Sequence, residues 1–265
     1  MVETKMNVQL IAHTQLSADF LSQDDEYLYD KVFHEEIAEG QAVALTAIRS
    51  CYSANKPTEI VAKEGAKYFG SKASDGGAGT DADRLFRHIV RSGHSSTLEH
   101  ISFTFAIEGV SRALLAQLTR HRVGFSFSVQ SQRYVRMGSD DRSGGFDYVM
   151  PPTVTEDKKV DHSPSLDFTH YISAVDHFRD AMEMIQDVYD ELRSLGVPAE
   201  DARAVLPNAA ATNLVMTANL TALLSFYSKR KKGRGAQAEI TELAEALRRE
   251  VVAVEPWTDQ FFEEV

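Results

Sequence analysis

The sequence contains a single cysteine, Cys51, in 265 residues, and it contains no long hydrophobic run. One cysteine excludes a disulfide within the chain and a zinc site built from several cysteines. No segment approaches the roughly 18 apolar residues of a membrane-spanning helix, and the polar start is unlike a signal peptide. We therefore expect a cytoplasmic protein without a membrane partner.

Basic residues are also scarce. The chain has 28 Lys and Arg residues against 39 Asp and Glu residues, which gives a formal net charge of −11. A protein with this charge repels the phosphate backbone of nucleic acids, so no nucleic-acid partner is expected. A polyanionic ligand would have to be bound by a local cluster of cations.

Hydrophobic periodicity predicts a mixture of strands and helices in one domain. Alternating or apolar segments predict strands at residues 8–12, 100–107 and 125–129, and a strand or bridging segment at residues 212–218. Helical periodicity predicts helices at residues 41–51, 81–92, 110–119, 165–195, 199–206, 221–228 and 236–252. Gly109 is predicted to turn the chain into the third helix, and residues 136–165 are predicted to form a polar excursion. Because no repeat or linker divides the sequence, we predict a single α/β domain over residues 1–265.

The densest group of cations lies in residues 120–134, Arg-His-Arg-Val-Gly-Phe-Ser-Phe-Ser-Val-Gln-Ser-Gln-Arg-Tyr. Three arginines, a histidine and three serines alternate here with aromatic and apolar residues. Guanidinium groups and hydroxyls together suit the oxygens of a phosphate or a nucleotide. Taken alone, residues 120–122 are equally well explained as cations that stabilise a helix C-terminus.

This cluster resembles the signature of the flavin-dependent thymidylate synthases, in which Arg-His-Arg is followed after seven or eight residues by Ser. Here eight residues separate Arg122 from Ser131. Other segments occur in the order typical of that family: Ala-Ile-Arg-Ser-Cys-Tyr at 47–52, Gly-His-Ser-Ser-Thr-Leu-Glu-His at 93–100 with Phe-Thr-Phe at 103–105, and Ala-Arg-Ala-Val-Leu-Pro at 202–207. Asn219, Arg230 and residues 236–239 follow, so the resemblance covers roughly residues 41–260.

The resemblance implies reductive methylation of dUMP to dTMP, with 5,10-methylenetetrahydrofolate as carbon donor and NADPH as reductant acting through FAD. It implies an α+β arrangement with a central, mostly antiparallel sheet flanked by helices. It also implies a homotetramer with active sites at subunit interfaces, where Arg230 would reach residues 120–134 from another subunit.

The resemblance also assigns roles to individual residues. Arg230 would be catalytic and would stabilise negative charge as N3 of uracil ionises. The implied dUMP ligands are Gln117, Arg120, Gln130, Ser131, Gln132, Arg133, Arg203 and Arg230. The implied FAD ligands are His94, Ser96, Glu99, Arg120, His121, Arg122, Asn219 and Ser225. Ser225 departs from the family, which commonly has His or Asn there, and its shorter side chain reaches less far.

Two other functions are compatible with the residues. A cysteine-dependent methyltransferase would use Cys51, although we expect this residue on an apolar helix face with its thiol protonated. A nucleotide-binding or RNA-binding protein without catalysis would use the basic run 229–235, Lys-Arg-Lys-Lys-Gly-Arg-Gly. His170 and His177 share a predicted helix face but lack carboxylate partners, so no metal is expected.

Overall fold

The computed structural model describes residues 1–21, 30–32, 34, 36–161 and 171–264. Its strands are β1 (Asn7–His13), β2 (Ser102–Ser111), β3 (Phe125–Val129), β4 (Lys159–Asp161), β5 (Tyr171–Ser173) and β6 (Ala211–Asn219). The main sheet has the order β1–β2–β6–β3, and each neighbouring pair is antiparallel. Strands β4 and β5 form a separate antiparallel ribbon. The predicted antiparallel sheet and its four predicted strands are confirmed.

Helices cover much of the remaining described chain. They are α1 (Ala18–Leu21), α2 (Glu39–Ser50), α3 (Ile60–Phe69), α4 (Asp81–Ser92), α5 (Arg112–Leu118), α6 (Ala174–Ser194), α7 (Ala199–Ala202), α8 (Leu220–Arg230), α9 (Ala238–Val254) and α10 (Asp259–Glu264). Single 3-10 turns occur at residues 57–59, 95–98, 203–205 and 256–258. The predicted helices at 41–51, 81–92, 221–228 and 236–252 are confirmed. Across the described ranges, no helix is long and apolar enough to cross a membrane.

The main core lies between the sheet and helices that include α2, α4, α8 and α9. Phe103 and Phe105 of β2 and Met216 of β6 are fully buried against residues such as Leu45 and Phe86. Because this core draws residues from both halves of the chain, it is compatible with one domain. The single domain over residues 1–265 stays a prediction.

Local sequence sets the ends of α4, which leads into the Gly-His-Ser-Ser-Thr-Leu-Glu-His segment at residues 93–100. The Thr80 hydroxyl accepts a hydrogen bond from the Asp83 N–H, and the Asp83 carboxylate accepts one from the Thr80 N–H at 2.7 Å. This reciprocal arrangement is a capping box. Gly93 ends the helix with φ of +73°, a left-handed conformation that favours glycine.

Gly109 does not start a helix, contrary to the prediction. Strand β2 continues to Ser111, and its register against β6 shifts between Ile107 and Val110. Gly109 has φ of +65°, and a Cβ there would lie 2.4 Å from the carbonyl oxygen of Lys5. Gly109 therefore forms part of a β-bulge in which two backbone segments approach closely. The sequence pattern alone does not distinguish such a bulge from a turn.

The long helix predicted at residues 165–195 is shorter in the structure, where α6 covers Ala174–Ser194. Strand β5 precedes it, and the Ser173 hydroxyl caps α6 by accepting the Asp176 N–H at 3.0 Å. His170 and the predicted helix start at residue 165 lie outside the described residues.

The chain from residue 136 to 161 is not purely a polar excursion. Met137, Phe146 and Tyr148 are buried in a second hydrophobic cluster with Tyr189 of α6. Buried Gln186 of α6 accepts the Phe146 N–H and donates to the Met137 carbonyl, both at 2.9 Å. The prediction failed because these apolar residues are isolated in the sequence and have no periodicity.

Cys51 is exposed at the C-terminal end of α2, so its predicted place on an apolar face is wrong. The buried stripe of α2 ends one turn earlier, at Ile48. The adjacent cation, Arg49, forms a 2.6 Å ion pair with Glu64. This cation is therefore already engaged by a carboxylate rather than free to stabilise a thiolate.

A buried carboxylate joins the end of α9 to the start of α2. Glu255 is 1% exposed, and its Oε1 accepts the Gly40 N–H at 3.0 Å, while Oε2 accepts the Trp257 indole N–H. Burial raises the pKa of Glu255 to about 7, although both hydrogen bonds act to lower it. A Cβ on residue 40 would lie 2.5 Å from Oε1, so this packing requires Gly40.

We predict that Glu255 makes the protein less stable as the pH rises from about 5 to about 8. The folded carboxyl holds its proton more tightly than the unfolded one, so its contribution is full below pH 4.5 and is lost as the pH passes about 7. Relative to a Glu255→Gln variant, the wild type should lose up to about 3 kcal/mol of unfolding free energy. Urea unfolding of both proteins across this pH range measures the difference, and a pH-independent difference would contradict the assignment.

Candidate functional site

Two predicted site residues meet within one chain: His121, shortly after α5, and Arg230, the last residue of α8. The Arg230 Nε and Nη2 atoms both lie 3.4 Å from His121 Nε2. The imidazole also packs edge-on against Phe226, with ring centroids 4.9 Å apart. Burial lowers the pKa of His121, with further lowering by the positive charges of Arg230, Lys229 and Arg120. A neutral imidazole can accept a hydrogen bond from the guanidinium without cancelling its charge.

The turn that carries residues 120–122 is held against the start of α8. The Asn219 N–H donates to the Gly124 carbonyl at 3.2 Å, and the Asn219 side chain caps α8 by accepting the Ala222 N–H at 2.8 Å. Gly124 has φ of +75°, and a Cβ there would lie 2.7 Å from Ala222 Cβ. Glycine thus allows the turn to approach the helix closely.

Most of the predicted FAD ligands lie at this end of the sheet, where β2 and β3 begin and β6 ends. Residues 94–99 carry the predicted ligands His94, Ser96 and Glu99. Just after them, the Ile101 carbonyl accepts a hydrogen bond from the Leu220 N–H of α8 at 2.8 Å. These three side chains, Arg120, Arg122 and Ser225 are exposed, while His121 and Asn219 are half-buried. Guanidinium, imidazole, amide and hydroxyl groups around one surface fit the phosphates and polar ring edges of a flavin dinucleotide.

Several predicted dUMP ligands lie at the opposite end of the sheet. Strand β3 runs away from Gly124, and at its far end the Gln130 N–H donates to the Asn213 carbonyl at 2.9 Å. Five strand residues span about 16 Å, so Ser131 and the buried Gln132 are well separated from Arg120.

Arg133 and Arg203 meet beside α7 at this second end. The Arg133 guanidinium forms a 3.0 Å ion pair with Glu200, and Arg203 Nε donates to the Glu200 carbonyl at 2.9 Å. Within one chain, the predicted dUMP ligands therefore form two separate groups, one at each end of the sheet. The expectation that Arg230 joins residues 120–122 from another subunit is wrong, because α8 follows β6 directly and β6 pairs with β3 of the same chain.

Gln117 lies in the last turn of α5, between the two groups. Its Nε2 donates to the Gln237 Oε1 at 2.5 Å, just before α9 begins. Gln237 belongs to the 236–239 element in the sequence, and Glu239 of the same element accepts from the Ser111 N–H and hydroxyl at 2.7 and 2.6 Å. These contacts fix α5, which leads into the Arg-His-Arg segment, against α9.

Arg112 is a candidate that the sequence interpretation missed. It is half-buried, and its guanidinium forms no hydrogen bond or ion pair with another residue in the described part of the chain. Burial lowers the pKa of Arg112, and so does the positive charge of Arg203. A cation in the first turn of α5 opposes the helix dipole, so this placement was the available signal for a role other than helix stability.

A cavity of about 520 Å³ adjoins Arg112. Its walls include the neighbouring Ser111 and Ala113, the prolines at 151, 152 and 207, and Gln237. This cavity is large enough for a small molecule beside the first turn of α5. Among the described ranges, no group of three or more His, Cys, Asp or Glu side chains is arranged to hold a metal ion, and His170 is not among those residues.

Known proteins resemble this chain in sequence. The family model described as thymidylate synthase complementing protein matches residues 33–257. A flavin-dependent thymidylate synthase of Geobacter sulfurreducens is 40% identical over 215 residues, which cover 81% of this chain and 78% of the relative. One from Haloarcula marismortui is 35% identical over 189 residues, or 69% of this chain and 75% of the relative.

A solved structure shares the fold. The UMP/dUMP methylase PolB of Streptomyces cacaoi, bound with 5-Br dUMP, has a TM-score of 0.65 and 21% sequence identity, and the match covers 99% of this chain and 96% of that one. The family match spans every segment that carried the resemblance, from residues 47–52 to 236–239. The chain belongs to the family of flavin-dependent thymidylate synthases.

Proposed function

We propose that the protein reductively methylates dUMP to dTMP, taking the carbon from 5,10-methylenetetrahydrofolate and the reducing equivalents from NADPH. The observation that supports the proposal is the 3.4 Å contact between Arg230 and His121, because the arginine implied to be catalytic then lies beside the Arg-His-Arg segment. FAD, when bound, supplies the redox chemistry between NADPH and the transferred carbon.

Arg230 stabilises the anion that forms when uracil N3 loses its proton. Its guanidinium is half-buried, and its contact is a neutral imidazole rather than a carboxylate. A preorganised, uncancelled positive charge in a partly dry site acts more strongly on a developing anion than it would in water. His121 is the positioning residue for this charge.

The two ends of the sheet bind different ligands, FAD at the first end and the phosphate of dUMP at the second. The FAD ligands are those implied by the family at the first end: His94, Ser96, Glu99, Arg120, His121, Arg122, Asn219 and Ser225. At the second end, Ser131, Gln132 and Arg133 with Gln130 and Arg203 bind the phosphate of dUMP, and we add Arg112. In this arrangement the phosphate displaces Glu200 from Arg133.

A homotetramer would combine the two ends. In one chain about 16 Å of strand β3 separates Arg120 from Ser131, which is too far for both to bind the same small nucleotide group. Val123 is 88% exposed and Tyr134 is 81% exposed, and these two apolar residues flank the divided segment. Strand β3 is also an edge of the main sheet. Together these features support sites shared between subunits.

We predict that purified protein carries FAD and forms dTMP, and that Arg230→Ala abolishes this turnover while retaining most of the FAD. Loss of the positive charge should lower kcat by at least about 100-fold. The measurements are the flavin absorbance and dTMP formation with dUMP, methylenetetrahydrofolate and NADPH. Cys51→Ala is the matched control and should turn over normally, whereas colourless protein that stays inactive with added FAD would refute the proposal.

We predict that Arg112→Gln raises KM for dUMP by about 10- to 100-fold, because a charge-assisted phosphate contact is lost. FAD content should not change, since Arg112 is not among the implied FAD ligands. Arg249→Gln, an exposed arginine of α9, is the control. Loss of FAD with an unchanged KM would show that Arg112 serves the flavin instead.

We predict that two inactive variants, Arg230→Ala and Arg203→Ala, recover activity when their subunits are mixed. Random assembly should give about a quarter of the wild-type activity, because some shared sites then receive both intact halves. Co-expression followed by an assay at low dUMP concentration measures the recovery. A site contained in one chain would show none.

A further inference from the structure

A basic segment spans the last two residues of the helix that carries Arg230 and the four residues after it. Residues 229–234, Lys-Arg-Lys-Lys-Gly-Arg, hold five cations in a chain of net charge −11, and we call them the basic loop. Gly233 and Gly235 have φ of +86° and +73°, and a Cβ placed on either meets nothing within 4 Å. The loop therefore stands in open space between α8 and α9.

Stabilisation of the C-terminus of α8 explains only some of the cations in the basic loop. Cations favour a helix C-terminus, but the effect falls off within the last turn. Lys229 and Arg230 lie in the last turn of α8, whereas Lys232 and Arg234 lie beyond it. Lys229, Lys232 and Arg234 are exposed, and none of the three pairs with a carboxylate in the described portion of the chain. Their charge is available to a ligand.

The basic loop continues the positive field of the proposed active site. Lys229 acts on His121 together with Arg230 and Arg120, lowering the pKa of the imidazole. At the base of the loop, Lys231 Nζ lies 5.8 Å from the centroid of the Tyr227 ring. Positive charge thus extends outward from the His121–Arg230 contact, while the rest of the protein repels anions.

We propose that the basic loop binds the multivalent anionic end of a co-substrate, either the glutamate carboxylates of the folate or the phosphates of NADPH. This inference rests on the proposed function. The dUMP phosphate has its own arginines at the opposite end of the sheet, and none of the implied FAD ligands lies in residues 229–234, so the loop is left for a further anion. Ammonium groups on an exposed loop are mobile point charges, which suit a flexible chain of anionic groups better than a rigid fork does.

A nucleic acid is the less favoured occupant. Stable binding of RNA needs many phosphate contacts, and such binding falls steeply with salt. Here the cations are confined to six residues of an acidic protein. The position beside His121 also favours a molecule that takes part in the reaction.

The test compares FAD-loaded wild type with a Lys232→Gln/Arg234→Gln variant. The matched control is Lys72→Gln/Arg249→Gln, which removes one exposed lysine and one exposed arginine elsewhere. Direct binding is measured by calorimetric titration, and KM by steady-state assay. The ligands are methylenetetrahydrofolate with one or five glutamates, NADPH and NADH.

We expect the variant to lose about 5- to 20-fold in affinity and KM for one co-substrate, with kcat unchanged and with the effect shrinking at high salt. A loss confined to the pentaglutamate form assigns the loop to folate carboxylates. A loss for NADPH but not NADH assigns it to the 2′-phosphate, and an equal loss for both dinucleotides assigns it to their shared pyrophosphate.

Equal affinities of wild type, variant and control for all four ligands would overturn the inference. So would a loss of RNA oligonucleotide binding in the variant while both co-substrates bind as in wild type. Because binding is measured directly, wild type that binds these ligands but forms no dTMP would refute the proposed function and not the role of the loop.

Discussion

The arrangement of the site depends on the antiparallel pairing of β3 with β6. The pairing runs from Phe125 opposite Ala218 to Val129 opposite Leu214, so the start of β3 meets the end of β6. Helix α8 follows β6 without a linker, and its last residue therefore lies beside the turn before β3. This register brings Arg230 to His121, and it also directs Ser131 to the other end of the sheet.

Charge distribution is the second constraint. In a chain with an excess of carboxylates, several arginines pair with a carboxylate, as half-buried Arg84 does with Asp81 and exposed Arg91 with Glu264. Arg112 and Arg230 have no such carboxylate within the described ranges, and each is half-buried. Holding a partly desolvated cation without a counter-ion costs stability, and such strain is typical of positions retained for ligand binding.

Much of the fold could be predicted from periodicity and local signals. The helix at residues 81–92 was predicted with its observed ends because its apolar residues follow the helical period and Gly93 ends it. Gly109 was misread because a bulge and a turn both require glycine, and only the neighbouring strand decides between them. Phe146 and Tyr148 are buried by packing against α6, which is distant in sequence, so no local sequence pattern predicts their burial.

The candidate site was less predictable than the fold. The resemblance named residues but not their spatial division, because that division follows from strand register rather than motif order. Arg112 lay outside the quoted motifs and was missed, although its unfavourable position in a helix's first turn was visible in the sequence. The FAD and dUMP assignments of individual residues stay predictions.

The separation of Arg120 from Ser131 along β3 has a consequence for inheritance as well as for chemistry. In an assembly where neighbouring chains complete each other's sites, a defect in α7 of one copy disables a flavin-bearing end that belongs to an intact copy. A cell that expresses a damaged allele beside a sound one would then lose activity in proportion to the share of damaged chains, even though some of the disabled sites hold the flavin-bearing end of an intact chain. Two alleles damaged at opposite ends would instead partly restore each other's activity, and this interallelic complementation is a genetic signature of a divided site.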